Sequence, residues 1–185
     1  MMGSKRDEII QVVLDLTVEK GFDNLSYKDI SDIIGIKKAS IHYHFPYKVD
    51  LGLAICVHME SLYDELIQKI AKESSYQKKM QLYIMFYDPA NMDNTAPYFS
   101  LLSSYNTSSV LMQEKLTQIC DKEYSLLYEI LKLGVESNSI TISQSLDIQT
   151  ITILSAIKGA YKYHRIMKFD YVRKVYEYFS SELKI

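Results

Sequence analysis

Residues 27–51 read YKDISDIIGIKKASIHYHFPYKVDL, and the fold turns on this stretch. Ile30, Ile33 and Ile34 recur at helical spacing with Lys28, Asp29 and Asp32 between them, so its first part reads as a short amphipathic helix. Ser26 precedes that helix and Asp29 follows three residues on, the pairing that satisfies free backbone N–H groups at a helix start. Gly35 falls where the helix needs a left-handed residue to stop. Ile36 returns to the core, and a second short helix carries Ile41 and Phe45 inward. Ser31 lies where the first helix must pass close to the second, and its small side chain suits that passage. Two short helices joined by a tight glycine turn make a helix-turn-helix, whose second helix enters the DNA major groove.

Residues Gly21 to Leu51 resemble the amino-terminal DNA-binding domain of the tetracycline-repressor (TetR) family. That family's pattern runs G-F/Y-x-x-x-S/T-x-x-x-I-A-x-x-A-G-V-S-x-x-x-L/I-Y-x-H/Y-F-x-x-K-x-x-L. Gly21, Phe22, Ser26, Ile30, Gly35, Ile41, His44, Phe45, Lys48 and Leu51 match it. Ser31 replaces the usual alanine, Lys37 the serine that caps the reading helix, and His42 the tyrosine. The likeness covers about a quarter of the chain and is specific in order and spacing.

The whole chain is consistent with an all-helical protein. Of 185 residues 48% are apolar, glycine and proline are scarce, and apolar periodicities are long. The formal net charge is only −2, but DNA binding needs a local basic face rather than a basic protein. Residues 36–49 supply one, with three lysines, two histidines and no acid. Cys56 and Cys120 lie far apart in apolar surroundings and read as buried reduced thiols. No stretch has the length of a membrane span and no signal peptide opens the chain, so a cytoplasmic location is expected.

In order, Ser4 and Asp7 start a helix with Ile9, Val12, Val13 and Leu16 inward, which runs to Gly21. A long helix from about Lys48 carries Leu51, Ile55, His58, Leu62, Leu66 and Ile70 on one stripe and connects two domains. Residues 76–87 form a further helix, and DPANMDNTAP at 88–97 reads as a loop. A short aromatic helix over 98–105, a long one over 110–135, a polar turn over 136–145 and two final helices over 146–167 and 171–183 complete the chain. The expected architecture is all-α. A three-helix helix-turn-helix domain spans residues 1–48, with its motif at about 27–46, and a larger helical ligand-binding and dimerisation domain spans 49–185.

The expected DNA contacts are Lys37, Lys38, Ser40, His42 and Tyr43 on the reading helix, with Ser26, Tyr27 and Lys48 on the phosphate backbone. His42 and His44 stand two apart on a helix and cannot readily share a metal. No nucleophile elbow or glycine-rich phosphate loop occurs, so no catalytic residue, metal or cofactor is expected. The second domain is rich in aromatic residues at helical spacing. Such stripes are usually core, yet so many tyrosine hydroxyls suit a pocket with polar handles. The candidate ligand contacts are Tyr83, Phe86, Tyr87, Tyr98, Phe99, Tyr105, Tyr124 and Tyr128, with Leu62 and His58, the latter reading first as a packed histidine.

Ile157, Tyr161, His164, Val172, Tyr176 and Phe179 form apolar stripes that serve either the chain's own core or a second copy. The resemblance favours the second use, because TetR-like proteins dimerise through their last two long helices. It implies a homodimeric, ligand-responsive repressor on a near-palindromic double-stranded operator, with a small-molecule effector and no membrane association. Two other readings stay open: a nucleoid or division factor that binds DNA without an inducer, and a small helical enzyme or carrier with an aromatic pocket.

Overall fold

The computed structural model describes residues 4–88, 92–164, 166 and 170–183. Among them the fold is all-α, with no strand. Its helices are α1 Lys5–Lys20, α2 Tyr27–Ile34, α3 Lys38–His44, α4 Lys48–Ala71, α5 Tyr76–Phe86, α6 Met92–Ser103, α7 Val110–Glu136, α8 Leu146–His164 and α9 Tyr171–Glu182. Short 3-10 turns stand at Phe22–Asn24 and Tyr105–Thr107. The chain divides into two compact units, one of residues 1–61 with 93–119 and the other of 62–92 with 120–185. Residues of α4 and α7 are thus shared between them.

In the first unit, local chemistry sets each helix end. Ser4 caps α1 and Ser26 caps α2, each in a reciprocal box with the acid three residues on. Asp29 accepts from the Ser26 N–H at 2.8 Å and the Ser26 hydroxyl at 2.6 Å, and pairs with Lys20 Nζ at 2.7 Å. Lys20 first, then the Ser26 donors, hold its carboxyl well below the usual range. Gly35 closes α2 at φ 73° and ψ 28°, a left-handed conformation that a Cβ would strain. The Ser31 hydroxyl donates to the Ile36 carbonyl at 2.6 Å, so this serine ties the turn as well as being small.

α1 packs on α2 and α2 on α3 around Ile9, Val13, Phe22, Leu25, Ile30, Ile41 and Phe45, all buried. Each such side chain contributes about 1.5–3 kcal/mol of burial free energy. Ile33 departs from the expected core: it is 58% exposed. In a two-turn helix Ile34 shares the Ile30 side, whereas Ile33 is rotated away from it.

Helix α6 belongs to this same unit. Ser100 Oγ accepts the Phe22 N–H at 3.1 Å, and the Ser104 hydroxyl donates to Asp23 Oδ2 at 2.8 Å. Gly52 of α4 lets the start of α7 come close: a Cβ there would stand 2.4 Å from Met112 Sδ and 3.0 Å from Phe22 Cζ. The expected loop over 88–97 is overturned in part. Residues 89–91 lie outside the described ones, but α6 already begins at Met92 and holds Pro97 inside it. An interior proline costs roughly 3 kcal/mol of helix propensity. Burial of Thr95, Tyr98 and Leu101 on one side of α6 offsets that cost, and the turn-rich composition carried no sign of it.

In the second unit α8 packs on α9. The core holds Leu66, Ile70, Met80, Ile84, Leu127, Ile130, Leu131 and Ile153. The Tyr76 hydroxyl donates to the Leu183 carbonyl at 3.2 Å, tying the first turn of α5 to the end of α9. Ile157, Tyr161, Val172 and Phe179, which the sequence offered to a second copy, lie buried inside this unit. Tyr176 is half-buried, and the side chain of His164 lies outside the described ones. The outward apolar residues of α8 and α9 are instead Ile148, Ile151, Tyr163 and Tyr178. Both stripes are apolar in sequence, and packing of α8 on α9 decides which of them turns inward.

Candidate functional site

Helix α3 is anchored from beneath and open above. Ile41 and Phe45 are fully buried, whereas Lys37, Lys38, Ser40, His42 and Tyr43 are exposed, Tyr43 by 83%. Lys37 is the N-cap and makes no side-chain capping bond, which leaves its chain directed to solvent. The backbone holds the start instead, with the Ser40 N–H donating to the Lys37 carbonyl at 2.9 Å.

The base of the helix is locked by aromatic residues. The His42 ring stacks on Tyr27 at 4.1 Å and 12°, and His42 Nδ1 lies 3.2 Å from the Pro46 carbonyl, so that nitrogen carries the proton. The Tyr27 hydroxyl donates to the Phe45 carbonyl at 2.8 Å, and partial burial, then Asp50, raise its pKa. Arg6 lies over the Phe45 ring at 5.1 Å. Lys48 Nζ donates to the Asp23 carbonyl at 2.7 Å and sits 5.2 Å from the Phe22 ring centre, which leaves further N–H groups on the ammonium. Tyr47, 72% exposed beside these groups, was not among the expected contacts. Its place between Pro46 and the capped start of α4, where Asp50 accepts the Tyr47 N–H at 2.7 Å, was the available signal.

Of the candidate ligand residues, the second unit brings Tyr83, Phe86 and Tyr87 together, with Tyr63. The Tyr87 hydroxyl donates to Glu123 Oε1 at 2.6 Å, and the Tyr63 hydroxyl lies 2.5 Å from that of Tyr87. Because Tyr87 gives its proton to the carboxylate, Tyr63 is the donor to Tyr87. Lys158 Nζ completes the cluster, 2.6 Å from Glu123 Oε2. Burial, then the charge of Glu123, push the Tyr83 and Tyr87 hydroxyls well above their ordinary pKa. Tyr83 Oη is buried with no hydrogen-bond partner, although Tyr87 lies near enough to ease its shift slightly.

The other candidates lie elsewhere. Tyr98, Phe99, Tyr105 and half-buried His58 belong to the first unit. Tyr124 and Tyr128 stack on each other at 6.0 Å, and Tyr124 donates to Asp147 at 2.6 Å, a bond that pushes its pKa up to about 12. Leu62 is half-buried on α4.

Sequence reasoning missed Glu123 and Lys158. Their signal was a charge within an apolar stripe: Leu116, Ile119, Leu127 and Ile130 flank Glu123 at three- and four-residue steps, and Leu154 and Tyr161 flank Lys158. A small apolar cavity of about 10 Å³ lies beside Tyr87, lined by Ile84, Ile157, Ala160, Val172 and Phe179 among others. It has room for little more than a water molecule. Among the described residues no group of three or more His, Cys, Asp or Glu side chains could hold a metal ion.

The anchored, outward-facing α3 behind the α2 glycine turn makes the first unit a helix-turn-helix. Residues 9–55 match the family of bacterial regulatory proteins, tetR family. The biofilm operon icaADBC HTH-type negative transcriptional regulator IcaR of Staphylococcus epidermidis is 41% identical over 46 residues, 25% of each chain. Its counterpart in Staphylococcus aureus strain Newman is 44% identical over 43 residues, 23% of each. The chain thus matches only about a quarter of the length of these curated relatives.

Solved structures agree over nearly the whole chain. A TetR-family regulator from Agrobacterium tumefaciens has a TM-score of 0.81 at 21% identity, covering 97% of this chain and 94% of that one. A TetR regulator from Legionella pneumophila gives 0.79 at 24%, covering 97% of both. A transcriptional regulator from Saccharomonospora viridis, in complex with choline, gives 0.80 at 18%, covering 95% of both. At these identities the likeness shows the fold. Residues 9–55 are thus similar to the amino-terminal region of tetR-family regulatory proteins, and the chain shares the fold of solved TetR-family regulators.

Proposed function

We infer that this protein is a transcriptional regulator that binds a near-palindromic operator as a homodimer and represses until a small molecule releases it. The observation that carries this reading is α3, fixed from below by Ile41 and Phe45 while Lys37, Lys38, Ser40 and Tyr43 stand outward. In the major groove these groups meet base edges and phosphates. Tyr27 acts by stacking, because its hydroxyl is already given to Phe45, and so it holds His42 in place. The remaining N–H groups of Lys48 face the phosphate backbone, whereas both Ser26 donors are already given to Asp29 and serve the cap of α2. Repression is favoured by the relatives that share this domain, which are negative regulators.

The second copy docks on the outward residues of α8 and α9, Ile148, Ile151, Tyr163 and Tyr178, which are exposed and apolar. Two reading helices then meet half-sites about one helical turn apart. The reading involves no catalytic step. In this reading residues 1–48 read DNA and residues 49–185 bind the ligand and the partner copy. No helix among the described residues is long and apolar enough to cross a membrane.

Fluorescence anisotropy with duplexes tiling the gene's own upstream region, titrated with salt, tests the proposal. One duplex should bind far more tightly than the rest as a two-protomer complex, with affinity falling steeply in salt. Equal, weak binding to every duplex would overturn sequence-specific regulation.

A further inference from the structure

We propose that Glu123 anchors a binding site for a small organic amine, and that Lys158 occupies the amine's place when none is bound. This rests on the ligand-responsive reading above and names the chemical class of that ligand. Glu123 is fully buried, a position a carboxylate holds only when its charge is answered. Its two oxygens are answered in different ways. Oε1 takes a hydrogen bond from Tyr87, a ring fixed in the core, whereas Oε2 is met by the tip of the Lys158 chain.

That lysine side chain is 27% exposed, so part of its length reaches solvent while its ammonium meets the carboxylate. The surroundings suit an organic cation. Tyr63 packs on Phe86 at 5.3 Å, Phe86 on Tyr87 at 5.0 Å and Tyr83 on Tyr87 at 5.4 Å, and such ring faces attract ammonium groups. The Tyr83 hydroxyl, buried without a partner, lies within the field of Glu123. Buried polar groups are seldom left so, and this oxygen is an acceptor awaiting an N–H. A protonated amine replaces the Lys158 ammonium at Oε2 and carries further N–H donors of the kind the Tyr83 oxygen lacks. A quaternary ammonium has the charge but neither donor, and an alcohol lacks the charge.

Isothermal titration calorimetry of the full chain with 2-phenylethylamine, its trimethylammonium analogue and 2-phenylethanol tests this. The primary amine should bind, the quaternary analogue more weakly, and the alcohol not measurably. Glu123→Gln should weaken the amine by at least about tenfold, the effect of losing a charge-assisted hydrogen bond. Tyr83→Phe should weaken it by roughly fivefold, as for a neutral bond. Lys158→Met should bind the amine more tightly than wild type and gain more in thermal midpoint from it, because the internal competitor is gone.

Amine and alcohol binding alike, or an amine affinity indifferent to Glu123→Gln, would overturn the site. A quaternary analogue as tight as the amine, with Tyr83→Phe silent, would overturn the amine class. Operator affinity is read separately. Amine binding that leaves the operator complex intact upholds the site and removes the ligand-responsive reading. An operator complex released by uncharged molecules, with no amine bound, upholds that reading and removes the site.

Discussion

The helix-turn-helix and the tyrosine cluster are built from the same kind of element and place their chemistry oppositely. In the first, apolar residues of α3 are buried and the polar ones stand in water, so each exposed group acts almost independently of the fold. In the second, Tyr63, Tyr83, Tyr87 and Glu123 are buried with their polar atoms, and each is answered by a neighbour except the Tyr83 hydroxyl. Function on a surface can be altered without cost to stability. Function in a core cannot, because low dielectric raises the penalty for every unpaired group.

The sharpest way to break that contrast is Lys158→Met. It leaves a buried carboxylate unpaired, a loss of about 3 kcal/mol, the lower end of the range because the lysine stem lets water follow. Urea unfolding should show it, and adding Glu123→Gln should restore most of it. A stability unchanged by Lys158→Met would mean the cluster is as tolerant as α3. Ile157→Glu should likewise unfold the second unit, whereas Ile151→Glu, at a residue 50% exposed, should keep its helicity and yield monomers. Sedimentation and circular dichroism of the two variants separate core from interface.

On the reading helix, Tyr43→Ala or Lys38→Ala should lower operator affinity by about 1–3 kcal/mol while stability shifts by no more than about 0.5 kcal/mol. Lys48→Ala should weaken specific and non-specific DNA alike and lower the salt slope by about one. An unchanged slope would leave Lys48 with only its Asp23 contact.

The smallest effect concerns Asp29. Its folded pKa lies below the unfolded value, so the stability it adds is fully present above about pH 4 and is lost as pH falls through the folded pKa. Asp29→Asn should therefore lower the thermal midpoint slightly at pH 7, with the difference from wild type vanishing in strong acid.

How much could be read beforehand follows the range of the forces involved. Ser4 with Asp7, Ser26 with Asp29 and Gly35 act within a few residues, and all three helix ends stand where their chemistry puts them. The exposed row on α3 was legible for the same reason, since Ile41 and Phe45 decide which side of so short a helix faces out. Ser31 was legible in size but not in its bond to Ile36.

The sequence by itself determined the all-helical architecture, the helix-turn-helix and the likeness to the TetR family at its amino-terminal end, because these rest on periodicity, caps and one ordered motif. Tertiary structure alone decided the rest. It placed Pro97 inside a helix through burial of its neighbours, turned Ile157 inward and Ile151 outward, and joined α6 to Phe22 and Asp23 through two serines. It also brought Glu123 of α7 within 2.6 Å of Lys158 and Tyr87, residues 35 and 36 positions away. Pairings at such separations depend on how whole helices pack. No local propensity encodes that, and so neither the buried charge nor the hydroxyl it leaves unanswered could be assigned before the fold was known.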